Sequence, residues 1–418
     1  MPWFLRVLIC SIIRVSRPPP KKSSLINKMF FILLIITQRR IFLGCYGIIV
    51  DMKKVLSIFG TRPEAIKMAP VVKELESREG IESVVCVTAQ HRDMLDQVLE
   101  IFKIKPDYDL NIMKPGQTLT HITAEVLKGI EEVIIKERPD LVLVHGDTTT
   151  AMAAALAAFY QQVKVGHVEA GLRTYDKYSP FPEEMNRQII DKVADYLFAP
   201  TEISKANIGN KLNKGQEVFV TGNTAIDALK TTVSEDYAHP DLEWAEGSRL
   251  ILVTAHRREN LGEPMRHIFK AIRRIVDEYP DVKVIYPVHL NPKVQEVAKE
   301  VLGDSDKIRL IEPLDVLDFH NFMERVYFIM SDSGGVQEEA PSLGKPVLVL
   351  RGTTERPEGI KAGTLKLVGT ETEDVYVAAK ELLNNEEVYK AMSEAKNPYG
   401  DGFASKYIVD AIVEEDKK

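Results

Sequence analysis

From residue 52 onward, short apolar runs alternate with longer amphipathic stretches. Apolar runs without polar alternation are typical of parallel strands covered on both faces, and the amphipathic stretches predict the covering helices. The predicted strands form two series, 55–59, 84–88, 141–144, 163–168, 196–198 and 218–220, then 250–254, 282–287, 308–310, 326–330 and 347–350. Two such series predict two doubly wound α/β domains with a cleft between them. The charged segment 234–248 between the series is expected to be a loop or an inter-domain surface.

Residues 1–51 differ in character from the rest of the chain. Basic residues and a triple proline interrupt their apolar runs, none of which approaches the roughly 18–20 residues that a membrane-spanning helix needs. Residues 1–50 carry eight basic and no acidic side chains, so the other 368 residues hold 46 basic and all 61 acidic ones, a net charge of −15. We expect that Met52 is the natural start or that residues 1–51 fold independently of the main body, and we expect no stable membrane insertion. A membrane-surface anchor is the alternative.

The composition excludes several classes of protein. With 45% hydrophobic and 28% charged residues the chain is not a disordered one, and three cysteines cannot staple 418 residues together. A net charge of −7 with no basic stripe argues against nucleic acid as a partner. Cys86, the one cysteine of the main body, lies in an apolar strand, which is typical of a core residue.

Two glycines after the predicted strand 326–330 form the clearest candidate phosphate site. Ser333, Gly334 and Gly335 open the next predicted helix. The glycines let the backbone approach an anion closely, and the helix points its free N–H groups at it. An ordinary strand-to-helix turn is the alternative. Glu339, one helical turn further on, is placed to accept hydrogen bonds from ribose hydroxyls, or else is an exposed helix charge.

Cations at other strand ends favour a diphosphate as the ligand. Arg62 and Lys67 follow the first strand of the first series, and the run His256, Arg257 and Arg258 follows the first strand of the second series. Ligands of open α/β sheets bind beyond the carboxyl ends of the strands, so these side chains are expected to line the cleft. Several cations that converge there suit an anion with more than one charge.

Three acidic side chains are candidates for acid–base catalysis. Asp147 and Glu169 follow the strands 141–144 and 163–168, and Glu183 lies on a predicted helix that starts near Pro182. Arg187 is four residues after Glu183, so both project from one helix face. Each acid alone could be a helix cap or a solvated charge, and the Glu183–Arg187 pair could be a surface ion pair. As a group facing one cleft, the acids could have unlike pKa values and exchange protons.

Other kinds of site lack their motifs. The chain has no G-x-G-x-x-G after its first strand, no Walker motif and no G-x-S-x-G elbow. The cysteines have no metal-ligand spacing, and the histidines form no H-E-x-x-H. We therefore expect no metal site.

Eleven sequence blocks, in the expected order, resemble the non-hydrolysing UDP-N-acetylglucosamine 2-epimerase family. They run from residue 52 to about residue 412, and residues 1–51 have no counterpart in the family. The blocks are GTRPE with the following Lys67, TAQHRDMLDQVL, HGDTTT, GHVEAGLRT, PEEMNR, TGNTAIDAL, HRREN, YPVHLNP, SDSGGVQEEAPSLGKPVL, RGTTERPE and NPYGDG.

The resemblance implies a glycosyltransferase-B-like arrangement, in which two Rossmann-like domains enclose a central cleft. The expected domains are residues 52–222 with 400–418, where the last helix crosses back, and a UDP-binding domain of residues 223–399. The family also implies a homodimer that needs neither a nicotinamide cofactor nor a metal. A cytoplasmic location fits this expectation and the single cysteine of the body.

The implied reaction is the reversible epimerisation of UDP-N-acetylglucosamine to UDP-N-acetylmannosamine. UDP would be eliminated and re-added through a 2-acetamidoglucal intermediate. By this resemblance Asp147, Glu169 and Glu183 are the acid–base residues, Arg187 helps to order Glu183, and His256 belongs to both the catalytic and the diphosphate set. The assignment of each acid to a face of C2 stays open.

The resemblance also bears on regulation, and three alternative activities stay open beside the epimerase. It implies a second, regulatory UDP-sugar beside the catalytic one, with Gln90, His91 and Arg92 in the corresponding stretch, although these could be ordinary loop residues. The alternative activities are a hydrolysing epimerase, a UDP-sugar-dependent glycosyltransferase of the same fold, and a catalytically silent UDP-sugar-binding regulator. The three acids argue against the silent regulator, since binding alone does not need them.

Overall fold

The computed structural model describes residues 40–43, 48–89, 92–114, 116–209 and 212–414. The chain divides into two units, residues 1–52 and residues 53–418. In the first unit, strands β1 (Arg40–Leu43) and β2 (Ile48–Asp51) pair antiparallel. Most of the expected N-terminal extension lies outside the described residues, so its role stays a prediction.

Seven parallel strands form the first sheet of the second unit. They are β3 (Lys53–Phe59), β4 (Ile81–Val87), β5 (Tyr108–Asp109), β6 (Leu141–His145), β7 (Lys164–Val168), β8 (Tyr196–Ala199) and β9 (Glu217–Val220). Their spatial order is β5-β4-β3-β6-β7-β8-β9, which reverses direction between β3 and β6. The helices of this part are α1 (Arg62–Ser77), α2 (Arg92–Ile101), α3 (Leu119–Glu137), α4 (Thr149–Tyr160), α5 (Glu183–Val193) and α6 (Glu202–Ile208).

Six parallel strands form the second sheet, with the order β12-β11-β10-β13-β14-β15. The strands are β10 (Arg249–Thr254), β11 (Val282–Pro287), β12 (Ile308–Ile311), β13 (Phe328–Ser331), β14 (Val347–Val349) and β15 (Leu365–Leu367). The helices are α7 (Thr224–Thr232), α8 (Pro240–Trp244), α9 (Glu263–Glu278), α10 (Pro292–Leu302), α11 (Val316–Arg325), α12 (Gly334–Glu339), α13 (Pro357–Ala362), α14 (Thr372–Asn384) and α15 (Glu386–Ser393), with 3₁₀ turns at Arg258–Asn260 and Ala340–Leu343. Both strand orders are those of a doubly wound Rossmann-like fold, which confirms the predicted fold class.

Burial on both faces of the sheets explains why the strands could be predicted from the sequence. Val55 and Phe59 of β3 pack into one core cluster, whereas Leu56 and Ile58 pack into another on the opposite face. Successive side chains along a strand point to opposite faces, so a strand covered on both faces is largely apolar at both sets of positions. All eleven predicted strands are present.

Three details differ from or add to the sequence prediction. The strands β5 and β15, with two and three residues, were missed because such short runs carry no periodicity. Segment 234–248 is not only a loop, since it contains α8, and Leu242 and Trp244 pack against the core of the second sheet. Cys86 is fully buried in β4 as a free thiol, as predicted, and burial raises its pKa to about 12.

The last helix, α16 (Ala404–Glu414), packs against the first part of the unit. Ile408, Val409 and Ile412 share a core cluster with residues of α1 and β3. The carboxylate of Asp227 accepts hydrogen bonds from the backbone N–H groups of Ala404 (3.1 Å) and Ser405 (2.8 Å) at the start of this helix. The last helix therefore packs against α1 and β3. The division into domains, with this helix crossing back to the first of them, stays a prediction. Among the described residues, no helix is both long and apolar enough to cross a bilayer.

We expect Gly166 in β7 to tolerate no side chain, because its neighbours on β6 and β8 come too close. A Cβ there would lie 2.5 Å from Leu143 Cδ2 and 3.2 Å from Phe198 Cε2. Gly166→Ala should therefore lower the free energy of unfolding by about 1–3 kcal/mol, measured by chemical denaturation. Gly352→Ala is the control, since its Cβ would meet no atom within 4 Å. Equal unfolding free energies for the two variants would contradict this prediction.

Candidate active site

The candidate site is built at the points where the strand order reverses in each sheet. In the second sheet, buried Asp332 after β13 ties together the two loops that flank this point. Its Oδ2 accepts hydrogen bonds from the backbone N–H groups of His256 and Arg257, both at 2.9 Å, and from Asn260 Nδ2 at 3.0 Å. A fully buried carboxylate needs such partners, so Asp332 holds the loop after β10 in one conformation.

Glu64 has the corresponding role in the first sheet. Its carboxylate accepts hydrogen bonds from the backbone N–H groups of Gly60 (3.1 Å) and Thr61 (2.8 Å), and from the Thr148 hydroxyl (2.7 Å). Burial raises the pKa of Glu64 against the effect of these donors. The loops after β3 and β6 are thereby joined, and the first turn of α1 is fixed.

A cluster of charged groups lies where residues of both sheets meet. Lys67 Nζ forms an ion pair with Glu169, and Arg356 Nε forms one with Glu338. Asn223 Nδ2 donates to Glu169 Oε2 at 3.0 Å and to Glu338 Oε2 at 2.7 Å. One amide group therefore links a carboxylate that follows the first sheet's β7 to one on α12 of the second.

The partners of each acid in this cluster set its pKa. Burial alone would raise the pKa of Glu169, but Lys67 and His145 hold it at about 2. For Glu338, burial outweighs the nearby Arg356 and Lys67 and raises the pKa. Burial opposes the charge of Lys67, yet the two carboxylates raise its pKa above the ordinary value. Glu169 and Lys67 are therefore ionised as a pair.

His145, the last residue of β6, adds a neutral polar group beside this pair. Its Nε2 is 3.7 Å from Glu169 Oε2, and within the described part of the chain neither ring nitrogen has a hydrogen-bond partner. Burial lowers the pKa of His145 to about 3, so the ring carries no charge at neutral pH. Buried polar atoms normally have partners, which makes this ring a candidate ligand contact.

Two side chains of α5 hold Asp147 in place. Arg187 Nη2 donates to Asp147 Oδ2 at 2.6 Å, and Asn186 Nδ2 donates to the Asp147 carbonyl oxygen at 2.9 Å. Burial raises the pKa of Asp147; Arg187 opposes this shift, while the charges of Glu169 and Glu183 add to it. The pKa values of Asp147 and Glu169 thus move in opposite directions, as acid–base residues with different tasks require.

The expected pairing of Arg187 with Glu183 is wrong. Arg187 Nη1 lies 3.5 Å from Glu184 Oε2, and its Nη2 binds Asp147. Glu184 is buried, and its carboxylate accepts a hydrogen bond from the backbone N–H of Thr174 at 3.0 Å. This buried carboxylate attracts the guanidinium group of Arg187 toward the interior. Glu183 is half-buried at the start of α5 and has no hydrogen-bond or ion-pair partner among the described residues.

Two guanidinium groups converge on the glycines that open α12. A Cβ on Gly334 would lie 3.6 Å from Nη2 of both Arg257 and Arg356. Ser333 is the N-cap residue, as predicted, and its side chain makes no capping hydrogen bond. The arrangement brings positive charge to a backbone that an anion can approach closely.

The remaining predicted binding residues border this region. Arg62 begins α1, is half-buried, and has no hydrogen-bond or ion-pair partner in the described ranges. The His256 ring stacks on that of His289 with 5.6 Å between centroids; burial lowers the pKa of His256, although Asp332 opposes the shift. Glu339 is not a freely exposed charge, since its side chain is 14% exposed and its Oε2 lies 3.7 Å from His320 Nε2.

Some predicted residues cannot be placed in this way. Gln90 and His91 lie outside the described residues, and Arg92 is described only as the first residue of α2. Within the described residues no group of three or more His, Cys, Asp or Glu side chains is arranged to hold a metal ion.

Several site residues were not singled out from the sequence. They are Asn223, Asp332, Glu338 and Arg356. All four fall within the family blocks, which was the available signal. The role of Asn223 depends on a contact between the two sheets, which the pattern of apolar residues does not contain.

A double-mutant cycle tests the Lys67–Glu169 pair. Lys67→Met leaves the largely buried Glu169 carboxylate without its cation. Lys67→Met should therefore lower the free energy of unfolding much more in the unchanged protein than in the Glu169→Gln variant. We expect a coupling of about 1–3 kcal/mol in the free energy of unfolding. The exposed pair Lys73–Glu76 is the control, for which the coupling should stay below about 1 kcal/mol. Equal couplings for both pairs would show that burial does not strengthen the Lys67–Glu169 pair.

Comparisons with known proteins identify the family of the chain. A family model described as UDP-N-acetylglucosamine 2-epimerase matches residues 73–413. The UDP-N-acetylglucosamine 2-epimerase of Bacillus subtilis (strain 168) is 62% identical over 360 residues, which are 86% of this chain and 95% of that protein. S. aureus MnaA, solved with UDP, has 58% identity and a TM-score of 0.79 over 86% of this chain and 96% of that one. The Neisseria meningitidis enzyme, solved with UDP-GlcNAc, has 50% identity and a TM-score of 0.77 over 86% and 100%. The chain belongs to the UDP-N-acetylglucosamine 2-epimerase family.

Proposed function

We propose that the chain interconverts UDP-N-acetylglucosamine and UDP-N-acetylmannosamine by reversible inversion at C2. The observation that carries the proposal is the pair of acids with opposite pKa shifts, Asp147 and Glu169, in one site with the guanidinium groups at Gly334. Relatives in the family are named for this epimerisation, and solved neighbours hold UDP or UDP-GlcNAc.

The second sheet supplies the nucleotide end of the proposed site. Arg257 and Arg356 bind the diphosphate, together with the backbone at residues 333–335. Arg62 approaches from the first sheet as a cation without a protein partner in the described residues. Glu339 accepts hydrogen bonds from the ribose. Bidentate guanidinium contacts suit a diphosphate that must be bound firmly both as part of the substrate and as a leaving group.

The chemistry of C2 favours elimination over simple deprotonation. The C2 hydrogen has no adjacent carbonyl group, so its removal alone would leave an unstabilised carbanion. If a carboxylate takes the C2 proton while the C1–O bond to UDP breaks, the electron pair of the C–H bond forms a C1–C2 double bond and UDP leaves as an anion. The product is 2-acetamidoglucal. Delivery of a proton to the other face of C2 and return of UDP to C1 complete the inversion. No net oxidation occurs, so no redox cofactor is required.

The geometry suggests different tasks for the three acids. Asp147, whose pKa is raised, is suited to exchange the C2 proton, and half-buried Glu183 nearby supplies a second exchangeable site. Glu169 stays ionised and fixes Lys67, whose positive charge offsets the charge that develops on the departing UDP. The neutral ring of His145 contacts the sugar. Closure of the cleft excludes water from the reactive intermediate. Assembly as a homodimer and a cytoplasmic location, both implied by the family resemblance, stay predictions.

Incubation with UDP-N-acetylglucosamine in D₂O, followed by NMR, tests the reaction. We expect equilibration with UDP-N-acetylmannosamine, deuterium at C2, and no lasting free UDP, because the removed proton exchanges with solvent before UDP returns. Release of free N-acetylmannosamine with UDP would instead indicate a hydrolysing epimerase. Sugar transfer to an added acceptor would indicate a glycosyltransferase, and the absence of C2 exchange would indicate a silent binding protein.

Replacing the acids separates binding from chemistry. Asp147→Asn and Glu169→Gln should each lower kcat by about 10²-fold or more, while calorimetry shows UDP affinity close to that of the unchanged protein, since neither acid contacts the diphosphate. Asp195→Asn is the control, because this carboxylate only accepts a backbone hydrogen bond from Val165 (2.8 Å). Unchanged kcat in a folded Glu169→Gln protein would refute the role given to Glu169.

A further inference from the structure

His167 of β7 is a fully buried ring that the proposed chemistry does not use. Its Nδ1 lies 2.6 Å from Asp191 Oδ1, and its Nε2 lies 2.7 Å from the carbonyl oxygen of Gly146. Both partners are oxygen acceptors, one a carboxylate and the other a peptide carbonyl. A neutral imidazole has only one N–H group, so it can donate to only one of them.

The identity of the acceptors determines the charge of the ring. The Gly146 carbonyl cannot donate, so Nε2 carries a proton. The second contact then requires a proton on Nδ1 or on Asp191. The other oxygen of Asp191 forms an ion pair with Arg173, a partner that favours the ionised carboxylate. The proton therefore belongs to Nδ1, and the ring is an imidazolium between a carboxylate and a carbonyl.

The Gly146 peptide lies directly before Asp147. Gly146 has φ +65° in the turn after β6, a conformation that glycine adopts at little cost. Its N–H donates to the Val168 carbonyl at 2.9 Å, while its carbonyl accepts from His167. Strand β7 thus holds both polar groups of this glycine, and the next residue is placed against Arg187.

We propose that His167 is a positioning residue with a proton on each ring nitrogen, whose imidazolium fixes the Gly146 peptide and so aims Asp147 at the reacting carbon. The role of Asp147 in this statement rests on the proposed function, whereas the charge of His167 does not. The charged groups that face the ring are Asp191 of α5 and Arg173 of the loop before it, and His145 of the neighbouring strand is neutral. The Asp191 carboxylate lies between two cations, the His167 imidazolium and the Arg173 guanidinium group, and stabilises the positive charge of the buried ring.

NMR of the full chain with ¹⁵N-labelled histidine tests the charge directly. At pH 7 one of the nine histidines should show imidazolium shifts, with a proton on each ring nitrogen, and this signal should be absent from His167→Gln. Asp191→Asn should convert the signal to that of a neutral ring, and Asp195→Asn should leave it unchanged. A neutral His167 at pH 7 in the unchanged protein, or an imidazolium that persists in folded Asp191→Asn, would overturn the proposal.

Steady-state kinetics test the positioning role. His167→Gln keeps one N–H donor but loses the charge and the second donor. We expect a decrease in kcat of roughly 10–100-fold, with KM and UDP affinity within about threefold, because only the aim of Asp147 changes. Asp191→Asn should act in the same direction, and it supplies the test if His167→Gln does not fold. Unchanged kcat in either folded variant would refute the positioning role. An unchanged protein that shows no C2 exchange would refute the proposed function, and the NMR result would still stand.

Discussion

One amide side chain, that of Asn223, lies between two buried carboxylates contributed by different sheets. Glu169 and Glu338 could not approach each other without compensation, because buried like charges repel and each has lost its hydration. The two cations Lys67 and Arg356 supply that compensation, and the amide of Asn223 donates to both acids. Since breaking such a network leaves charges buried and unpaired, the sheets are tied together at the place where the substrate is proposed to react.

This cluster also explains why neighbouring acids of one sheet edge differ in pKa. Glu169 faces a lysine at ion-pair distance, which holds its pKa at about 2. For Asp147, burial and the charges of Glu169 and Glu183 outweigh the cations Arg187 and Lys67, so its pKa is raised. Burial is common to both groups, and the sign of the shift is decided by the local balance of charges. A site built this way can keep one carboxylate ionised while another exchanges protons.

The sequence predicted the strands and most of the strand-end residues for a simple reason. A strand covered on both faces must be apolar throughout, and the residue after it must lie at the edge of the sheet where ligands bind. The partner of Arg187 could not be predicted in the same way. Adjacent helix positions are about 100° apart around the axis, so the choice between Glu183 and Glu184 depends on which one faces the core, and only the packed structure decides it. Asn223 and Arg356 act across the two sheets, where sequence periodicity carries no information.

In the proposed reaction the two faces of C2 need acids with different degrees of freedom. Asp147 follows a glycine held by β7, its carbonyl oxygen accepts from Asn186, and its carboxylate is paired with Arg187. Glu183 begins α5 without any such contact in the described part of the chain, so its side chain can adjust to the sugar. The planar intermediate turns or shifts between the two proton transfers. One fixed acid and one acid that can move are therefore better suited to reach both faces of C2 than two rigid acids. The asymmetry in hydrogen bonding is therefore a property that the reaction can use.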